Sequence, residues 1–597
     1  MSASLEHRND AEVEVARAPR ALLLLGALVI IVAATFYDSL GGQFVYDDVQ
    51  QIETNQLLGH WDPGTLLRVF THDIKTTLRQ DLPEDRVHSH YYRPVFLLYL
   101  MTGYELAGRR PLWWHSIAIG LHILASVLAF LVVRKTLLQV VATGTSYCNR
   151  LSFIAAAVFA VHPLQSESVS WVSGSVNPLA AVLALGSIYC YLLYRQSAAQ
   201  NRGSRAGWRS ALKLCAASVL YASALLTKES AVFVPVLVAG YEFFVFDTTS
   251  LKADAQQAEA GPPSRRGLVS LLPFVLVSIA YLFIRLMFLG QVTAGQGLLG
   301  RPGGLVQAAR TLLSVPALLA RYERLLLFPW HLSVNYDFSS PATVRSPTLW
   351  IPIALLIATG LLLALIWTRS RVARAGILWL VLPLMPHLNP GFFSSEELLH
   401  DRYLYLSLIG AGILVSLLVN IRTNLPVGFK RIYLPAMAPA LLITLCVLTV
   451  FQNRVWRDSR TLWSNAVQRA PHSRMAHFWL GSLAESSQDL DEAARQYSLA
   501  VGADPNCIDC LNNLAFVYAH KGQWDDSIQV FEQVVTLSPE HSIAHFNLSF
   551  AYAVVHRYKD AIREQKTAIE LDPTGPRIDE WRTREKQLEA LAEDRDA

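Results

Sequence analysis

Between residue 21 and about residue 452 the chain alternates long apolar runs with short polar connections, and that alternation excludes most folds at once. A run of about 20 apolar residues is what an α-helix needs to cross the hydrocarbon core of a bilayer. In lipid every backbone N–H and C=O must find its partner within the protein, so repeated runs of this kind fold as a bundle of helices. The first run, 21–40, follows Arg17 and Arg20 and precedes no small-residue cleavage site. It reads as an uncleaved anchor with a cytoplasmic tail over 1–20. Further runs at 112–133, 151–164, 177–194, 210–227, 230–247, 267–289, 348–368, 373–390, 403–420 and 432–452 bring the expectation to about 11 spans. Only 16% of the 597 residues are charged, against about 25% in soluble globular chains.

The basic residues test this count. With the N-terminus inside, the inner loops hold Arg134 and Lys135; Arg195, Arg202, Arg205 and Arg209; Lys252, Arg265 and Arg266; Arg369, Arg371 and Arg374; Arg422, Lys430 and Arg431. Each short basic cluster then falls on one side, as the positive-inside rule requires. An odd number of spans places everything after residue 452 on the other side, periplasmic in a bacterial inner membrane or lumenal in the endoplasmic reticulum. The segment 305–329 is apolar but interrupted by Arg310, Arg321, Glu323 and Arg324; it is expected to lie as a helix at the outer surface. A net charge of +4, with the basic residues beside spans, fits membrane topology and not nucleic-acid binding.

After residue 452 the pattern changes. Pro471, Pro505, Pro539 and Pro573 are 34 residues apart, and Leu480-Gly481, Leu514-Ala515 and Leu548-Ser549 recur in step with them. A 34-residue period of this kind is that of a tetratricopeptide array. The fold class is therefore all-α: a polytopic membrane helical domain over 21–452, with a first outer loop at 41–91, followed by a tetratricopeptide α-solenoid. A connecting half-repeat (453–473) carries Leu462, Trp463 and Ala466, three repeats fill 474–575, and 576–597 form a capping helix and tail. Asn513 and Asn547 occupy the same position in successive repeats. Their amides form either a ladder that bonds an extended peptide or simply a common choice at that position. Either way the array implies a protein or peptide partner. Of six cysteines, Cys190, Cys215 and Cys446 fall in apolar runs; Cys507 and Cys510 form a lone CxxC, which argues against zinc or haem and is compatible with a local disulfide.

Chemistry-bearing residues gather on the outer face. Asp47 and Asp48 follow the first span directly, and a carboxylate there can serve as general base or as a metal or substrate ligand. On the same face the span ends bring Arg93, His162, Glu167, Lys228 and Arg402. Snorkelling anchors account for any one of these; cations converging on an acidic pair account for the set. The spacing shows no compact ligand cluster, so a divalent metal stays open.

The order FVYDD, YYRP, FAVHPLQSESVSWVSG, LLTKES and DRYLYLS, followed by WRDSRTLWSNAV and the repeats, resembles the transmembrane and tetratricopeptide-repeat O-mannosyltransferases, a family of the GT-C membrane glycosyltransferases. The resemblance spans nearly the whole chain. It implies a GT-C-like membrane domain, a polyprenyl- or dolichyl-phosphate-linked sugar as donor, and an acidic residue of the first outer loop in the reaction. By position Asp47 and Asp48 match the acidic pair, and His162, Glu167, Lys228 and Arg402 match other polar landmarks. Three repeats stand where animal members carry a long array, which suggests a bacterial-type member and leaves sugar and acceptor open. The expected activity is inverting transfer of a mannose-like sugar to Ser or Thr of a protein held by the repeats. Asp48 or Asp47 would act as base, with Arg93, His162, Lys228 and Arg402 as phosphate partners. The alternatives are a non-catalytic anchored scaffold, or a GT-C enzyme acting on a glycan or lipid. A transporter is disfavoured, because the spans show no internal repeat and no charged residue deep in a helix.

Overall fold

The structure, a computed structural model, describes residues 18–74, 77, 91–141, 144–200, 204–246, 265–289, 304–337, 347–388, 398–419, 427–575 and 577–596. Most of 75–90, in the loop expected to be the first outer one, and the basic residues Arg202, Lys252 and Arg422 lie outside these residues. Every regular element described is helical. The chain divides into two compact units, Met1–Val334 with Phe338–Ser459, and Asn335–Asp337 with Arg460–Ala597.

In the first unit, seven helices among the described residues are long and apolar enough to cross a membrane: Arg20–Gly41, Pro111–Val140, Ser173–Ala198, Trp208–Thr227, Gly267–Leu289, Thr348–Arg369 and Ala436–Trp456. Their outer surface is apolar; Trp350, Ile351, Ile357, Leu361 and Leu362 of one helix are all exposed. A patch of that extent is stable against acyl chains and not against water. The chain is a multi-pass membrane protein.

The other four expected spans form shorter helices. They are Thr145–Val161, Phe233–Gly240 (continued by a wide turn, Tyr241–Val245), Arg371–Val381 and Ser407–Val419. Thirteen residues, the length of Ser407–Val419, make a rod of about 20 Å, short of the roughly 30 Å of hydrocarbon. Of the eleven expected spans, seven are helices long enough to cross and four are shorter. The short ones are sheltered by protein, where irregular backbone is tolerated. Ser407–Val419 packs against both Thr145–Val161 and Arg371–Val381. Its contacts are backbone on backbone: a Cβ at Gly412 would lie 2.3 Å from the Ala155 carbonyl oxygen, and one at Gly410 2.2 Å from the Leu380 nitrogen. The 305–329 segment is the helix Gly304–Leu327, interrupted by Pro316, which buries Leu318, Tyr322 and Leu325 and is not among the seven.

The second unit stacks three helix pairs: Arg474–Ser486 with Leu490–Ala503, Ile508–His520 with Trp524–Leu537, and Ser542–Val554 with Tyr558–Leu571. Helix Ser459–Arg469 buries Leu462, Trp463 and Ala466, and Trp463 stacks on Trp479 at 5.8 Å. At the other end Ile578–Asp596 docks through Trp581, which stacks on Phe546 at 5.3 Å and accepts a bond from Gln565 Nε2 to its carbonyl. The turn inside each pair uses a left-handed residue at the same register: Gln488 (φ 62°), Gly522 (φ 73°) and His556 (φ 61°). Two of the three are not glycine and carry the Cβ penalty of that conformation. Cys507 and Cys510 form a disulfide across the first turn of Ile508–His520.

One polar contact also obeys the period. His477 bonds the Gln496 side chain through Nδ1 at 2.7 Å and the Pro471 carbonyl through Nε2 at 2.9 Å. Two repeats on, His545 makes the same contacts to Glu564 and Pro539 at the same distances. Between them the pair is Leu511 and Val530, apolar on both sides and packed together. The exchange of both partners at once is what burial demands, because removing one alone leaves a buried polar group unmade.

Candidate active site

The first long helix ends in a tight turn, Tyr37–Gly41, and the chain passes through Tyr46 with φ at 55° before reaching the acidic pair. A bulky residue held in the left-handed region marks a backbone fixed by its surroundings. Those surroundings are Asp48. Its carboxylate is fully buried, Oδ2 accepting from the Val45 N–H at 3.1 Å and Oδ1 from the Ser173 N–H at 2.7 Å. Burial pushes its pKa up to about 7, against the opposing effect of the bonds from Ser173 and Val45. Asp48 thereby pins the loop after the first helix to the segment 162–175. Asp47, its neighbour, is half-exposed.

That segment is compact because Gly174 lets it fold back on itself: a Cβ there would lie 2.3 Å from the Glu167 carbonyl oxygen. It is latched by Asn453, whose Oδ1 accepts from Ser166 and Ser170 at 2.8 and 2.9 Å while its Nδ2 donates to the Thr35 carbonyl. The side chain of Glu167 is buried and binds Arg402 twice, through the backbone N–H at 2.8 Å and Nη1 at 2.5 Å, with His400 Nδ1 at 3.3 Å. Burial alone would raise this carboxyl; the Arg402 guanidinium and His400 outweigh it and hold it below the usual range. Arg402 lies over Trp171 (5.3 Å), and Trp171 contacts Tyr46 (5.5 Å) and stacks on Trp456 (5.8 Å). The acidic loop and Arg402 are thus joined through one indole.

A second group adjoins the first. Arg93 makes a two-pronged pair with Glu229, at 3.0 and 2.7 Å. Lys228 is buried, donates to the uncharged Asn177 Oδ1 at 2.6 Å, and sits 5.7 Å over the Tyr403 ring, which also carries Arg402 at 5.4 Å and stacks on His387 at 4.1 Å. Burial, then Arg93 and Arg402, bring the Lys228 ammonium down to about 7. Arg285, from helix Leu272–Leu289, is buried beside Tyr281 and acts on Glu229 together with Arg93.

Of the sequence-predicted residues, Lys228 and Arg402 meet at Tyr403, Glu167 binds Arg402, Arg93 pairs with Glu229 and acts on Lys228, and the acidic loop reaches Arg402 through Tyr46 and Trp171. His162 is placed differently: its Nε2 meets the Leu326 carbonyl at 3.2 Å and its Nδ1 accepts from the Leu164 N–H. Sequence reading missed Arg285, His387, Asn177 and Tyr403. Two of these carried a signal, an ionisable group inside an apolar run; Arg285 lies about one turn from the end of the span Gly267–Leu289 and not at its centre. Among the described residues no group of three or more His, Cys, Asp or Glu side chains is arranged to hold a metal ion.

In the array, Asn513 and Asn547 stand at equivalent positions on inner helices, but each amide nitrogen bonds within the array, Asn513 to Tyr497 Oη and Asn547 to Asn512 Oδ1, both at 3.3 Å. Asn547 lines a groove of ≈ 460 Å³ with Phe516, Phe546, Phe550 and Arg577.

Comparison with known proteins gives the same two parts. The tetratricopeptide repeat family matches residues 449–506 and 514–576. The human protein O-mannosyl-transferase TMTC1 is 26% identical over 532 residues, covering 84% of this chain and 57% of that protein. The Drosophila melanogaster protein O-mannosyl-transferase Tmtc3 is 25% identical, covering 87% and 59%, and mouse TMTC4 is 26% identical, covering 77% and 63%. The chain thus spans about three fifths of the length of these curated relatives. With transmembrane helices, repeats, and a quarter of residues shared over most of its length, this chain is a homologue of the transmembrane and tetratricopeptide-repeat protein O-mannosyltransferases.

Proposed function

We propose that the protein is an inverting membrane glycosyltransferase that moves a mannose-like sugar from a polyprenyl-phosphate carrier to Ser or Thr of a polypeptide held by the repeats, on the non-cytoplasmic face. The observation that carries the reading is Lys228: a buried ammonium bonded to an amide and not to a carboxylate, among arginines, in the group that Trp171 joins to the acidic loop. Such a site favours an anionic oxygen.

In the reaction the acceptor hydroxyl oxygen forms a bond to the anomeric carbon as the bond from that carbon to the phosphate oxygen breaks. The leaving lipid phosphate keeps the electron pair, and Lys228, Arg93 and Arg285 offset its charge. Arg402, fixed by Glu167 and Trp171, orients the donor beside the acidic loop. The hydroxyl proton passes to a carboxylate. Asp47 is the better base of the pair, because it is half-exposed and within reach of an acceptor, whereas Asp48 is fully buried. Asp48 holds the loop.

The test is transfer from polyprenyl-phosphate mannose to a Ser/Thr peptide by full-length protein in vesicles. Asp47→Asn is expected to lose on the order of 10²–10⁴ in rate with its thermal midpoint unchanged; Asp48→Asn is expected to lose both rate and stability. Wild-type rate in Asp47→Asn would remove it as base, and no transfer by wild type with any polyprenyl-phosphate hexose would sink the reading.

A further inference from the structure

Ser173, whose N–H bonds Asp48, begins the helix Ser173–Ala198, and Gln196 and Ser197 lie near its other end. At about 1.5 Å per residue the two ends are roughly 35 Å apart, so this far turn lies at the opposite membrane face from the acidic loop.

Two lysines from two other helices converge on that turn. Lys135, from Pro111–Val140, donates to Gln196 Oε1, and Lys213, from Trp208–Thr227, donates to the adjacent Ser197 Oγ. Each acts electrostatically on the other, and Arg134 acts on Lys135 as well while donating to Asn149 Oδ1 at 2.6 Å. All three acceptors are uncharged. The sequence leaves no carboxylate nearby in the chain: segments 134–150 and 195–213 together contain eight Lys and Arg residues and no Asp or Glu. Glu242 is engaged by Arg195 at 2.5 Å and by Tyr191 Oη at 2.8 Å.

Topology requires basic residues on the inner side, but solvent-facing cations meet that requirement. Here three cations are half-buried and drawn together between helices around neutral acceptors, an arrangement whose repulsion is relieved when an anion enters. Beside Lys135 and Lys213, Leu138 and Leu212 are exposed, with Trp208 exposed one turn away from Leu212. Basic sites between helices with an apolar flank suit a lipid phosphate.

We propose that Lys135, Lys213 and Arg134, with Gln196 and Ser197, bind the phosphate of an anionic membrane lipid whose acyl chains lie along Leu138 and Leu212. The site is separate from the proposed donor site and does not depend on it. The lysines would exchange their amide and hydroxyl partners for phosphate oxygens.

The experiment uses the full chain in detergent, with native mass spectrometry and titration of phosphatidylglycerol, phosphatidylcholine and inorganic phosphate. Wild type is expected to retain one phosphatidylglycerol at least about tenfold more tightly than phosphatidylcholine, and Lys135→Gln with Lys213→Gln to lose that preference; tenfold corresponds to about 1.4 kcal/mol. Arg369→Gln, at an exposed basic position elsewhere, is expected to keep it. The single variants Lys135→Gln and Lys213→Gln, each losing part of the preference with an unchanged thermal midpoint, guard against misfolding of the double variant. Equal retention of phosphatidylglycerol by a folded double variant overturns the site. Displacement of the lipid by millimolar inorganic phosphate overturns the lipid assignment in favour of a free anion.

Discussion

The two units of this protein solve the problem of buried polar groups in opposite ways. In the membrane unit the bonds that build the site join residues far apart in the chain: Asp48 to Ser173, Arg93 to Glu229, Glu167 to Arg402, Asn453 to Thr35. In the array they join residues 16 to 19 apart, His477 to Gln496, Tyr497 to Asn513, His545 to Glu564. Several of the array's ion pairs are one-turn pairs on the surface, such as Arg495 with Glu492, and pairs of that kind contribute little. Much of the array's charge is paired at the surface, whereas the charges that build the membrane unit's site are buried and paired across the fold. A local contact is repeated, or swapped for an apolar one, repeat by repeat, whereas a contact between distant helices has to be right in one place.

The comparison predicts a graded set of effects. Glu167→Gln strips Arg402 and His400 of their shared carboxylate in a buried site and is expected to cost about 3–5 kcal/mol, read as a lowered thermal midpoint together with lost transfer; a drop no larger than that of an exposed pair would erase the contrast. The pH dependence of the membrane unit is set in part by Asp48, which binds its proton near pH 7 when folded and near 3.8 when unfolded. Between those values the folded state holds more protons, so stability from this group is greatest at low pH and is lost as the pH rises through 7. A midpoint falling from pH 5 to 8 in wild type, with a flatter profile in Asp48→Asn, is the expected outcome.

Smaller effects belong to the repeats. His477→Leu or Gln496→Val alone is expected to cost about 1–3 kcal/mol by leaving a partner unmade, while the two together, copying Leu511 and Val530, should approach neutrality. Hydrogen exchange of array amides in the full chain measures this, and additive losses would contradict the idea of a unit exchange. The mildest change has the opposite sign. Gln488→Gly and His556→Gly relieve left-handed strain and should each raise local stability by about 1 kcal/mol, with Gly522→Ala lowering it by a similar amount.

This contrast also explains what could be read from the sequence. Pro471, Pro505, Pro539 and Pro573 announce the repeats because a repeat is a local object, and the apolar runs announce helices because a span is one too. Asp47, Asp48, Lys228 and Arg402 were visible as polar residues at the ends of runs. What was hidden depends on tertiary pairing. Nothing local tells that Asp48 is the buried carboxylate and Asp47 the half-exposed one, that His162 bonds a carbonyl of Leu326, or that Arg285 turns inward beside Glu229. The shortness of Phe233–Gly240, Arg371–Val381 and Ser407–Val419 was hidden for the same reason, since apolar character alone cannot distinguish a wall of lipid from a wall of protein.

Those short helices carry a consequence for how the protein is made. A rod such as Ser407–Val419 has no lipid-stable position of its own, so it settles only after Thr145–Val161 and Arg371–Val381 are there to receive it. The polypeptide emerges from its N-terminus, and Asn453, which ties Thr35 to Ser166 and Ser170, emerges after all of them. Biogenesis of the bundle therefore ends by fastening its first helix with its last, and a chain cut short before residue 453 has its helices but no clasp.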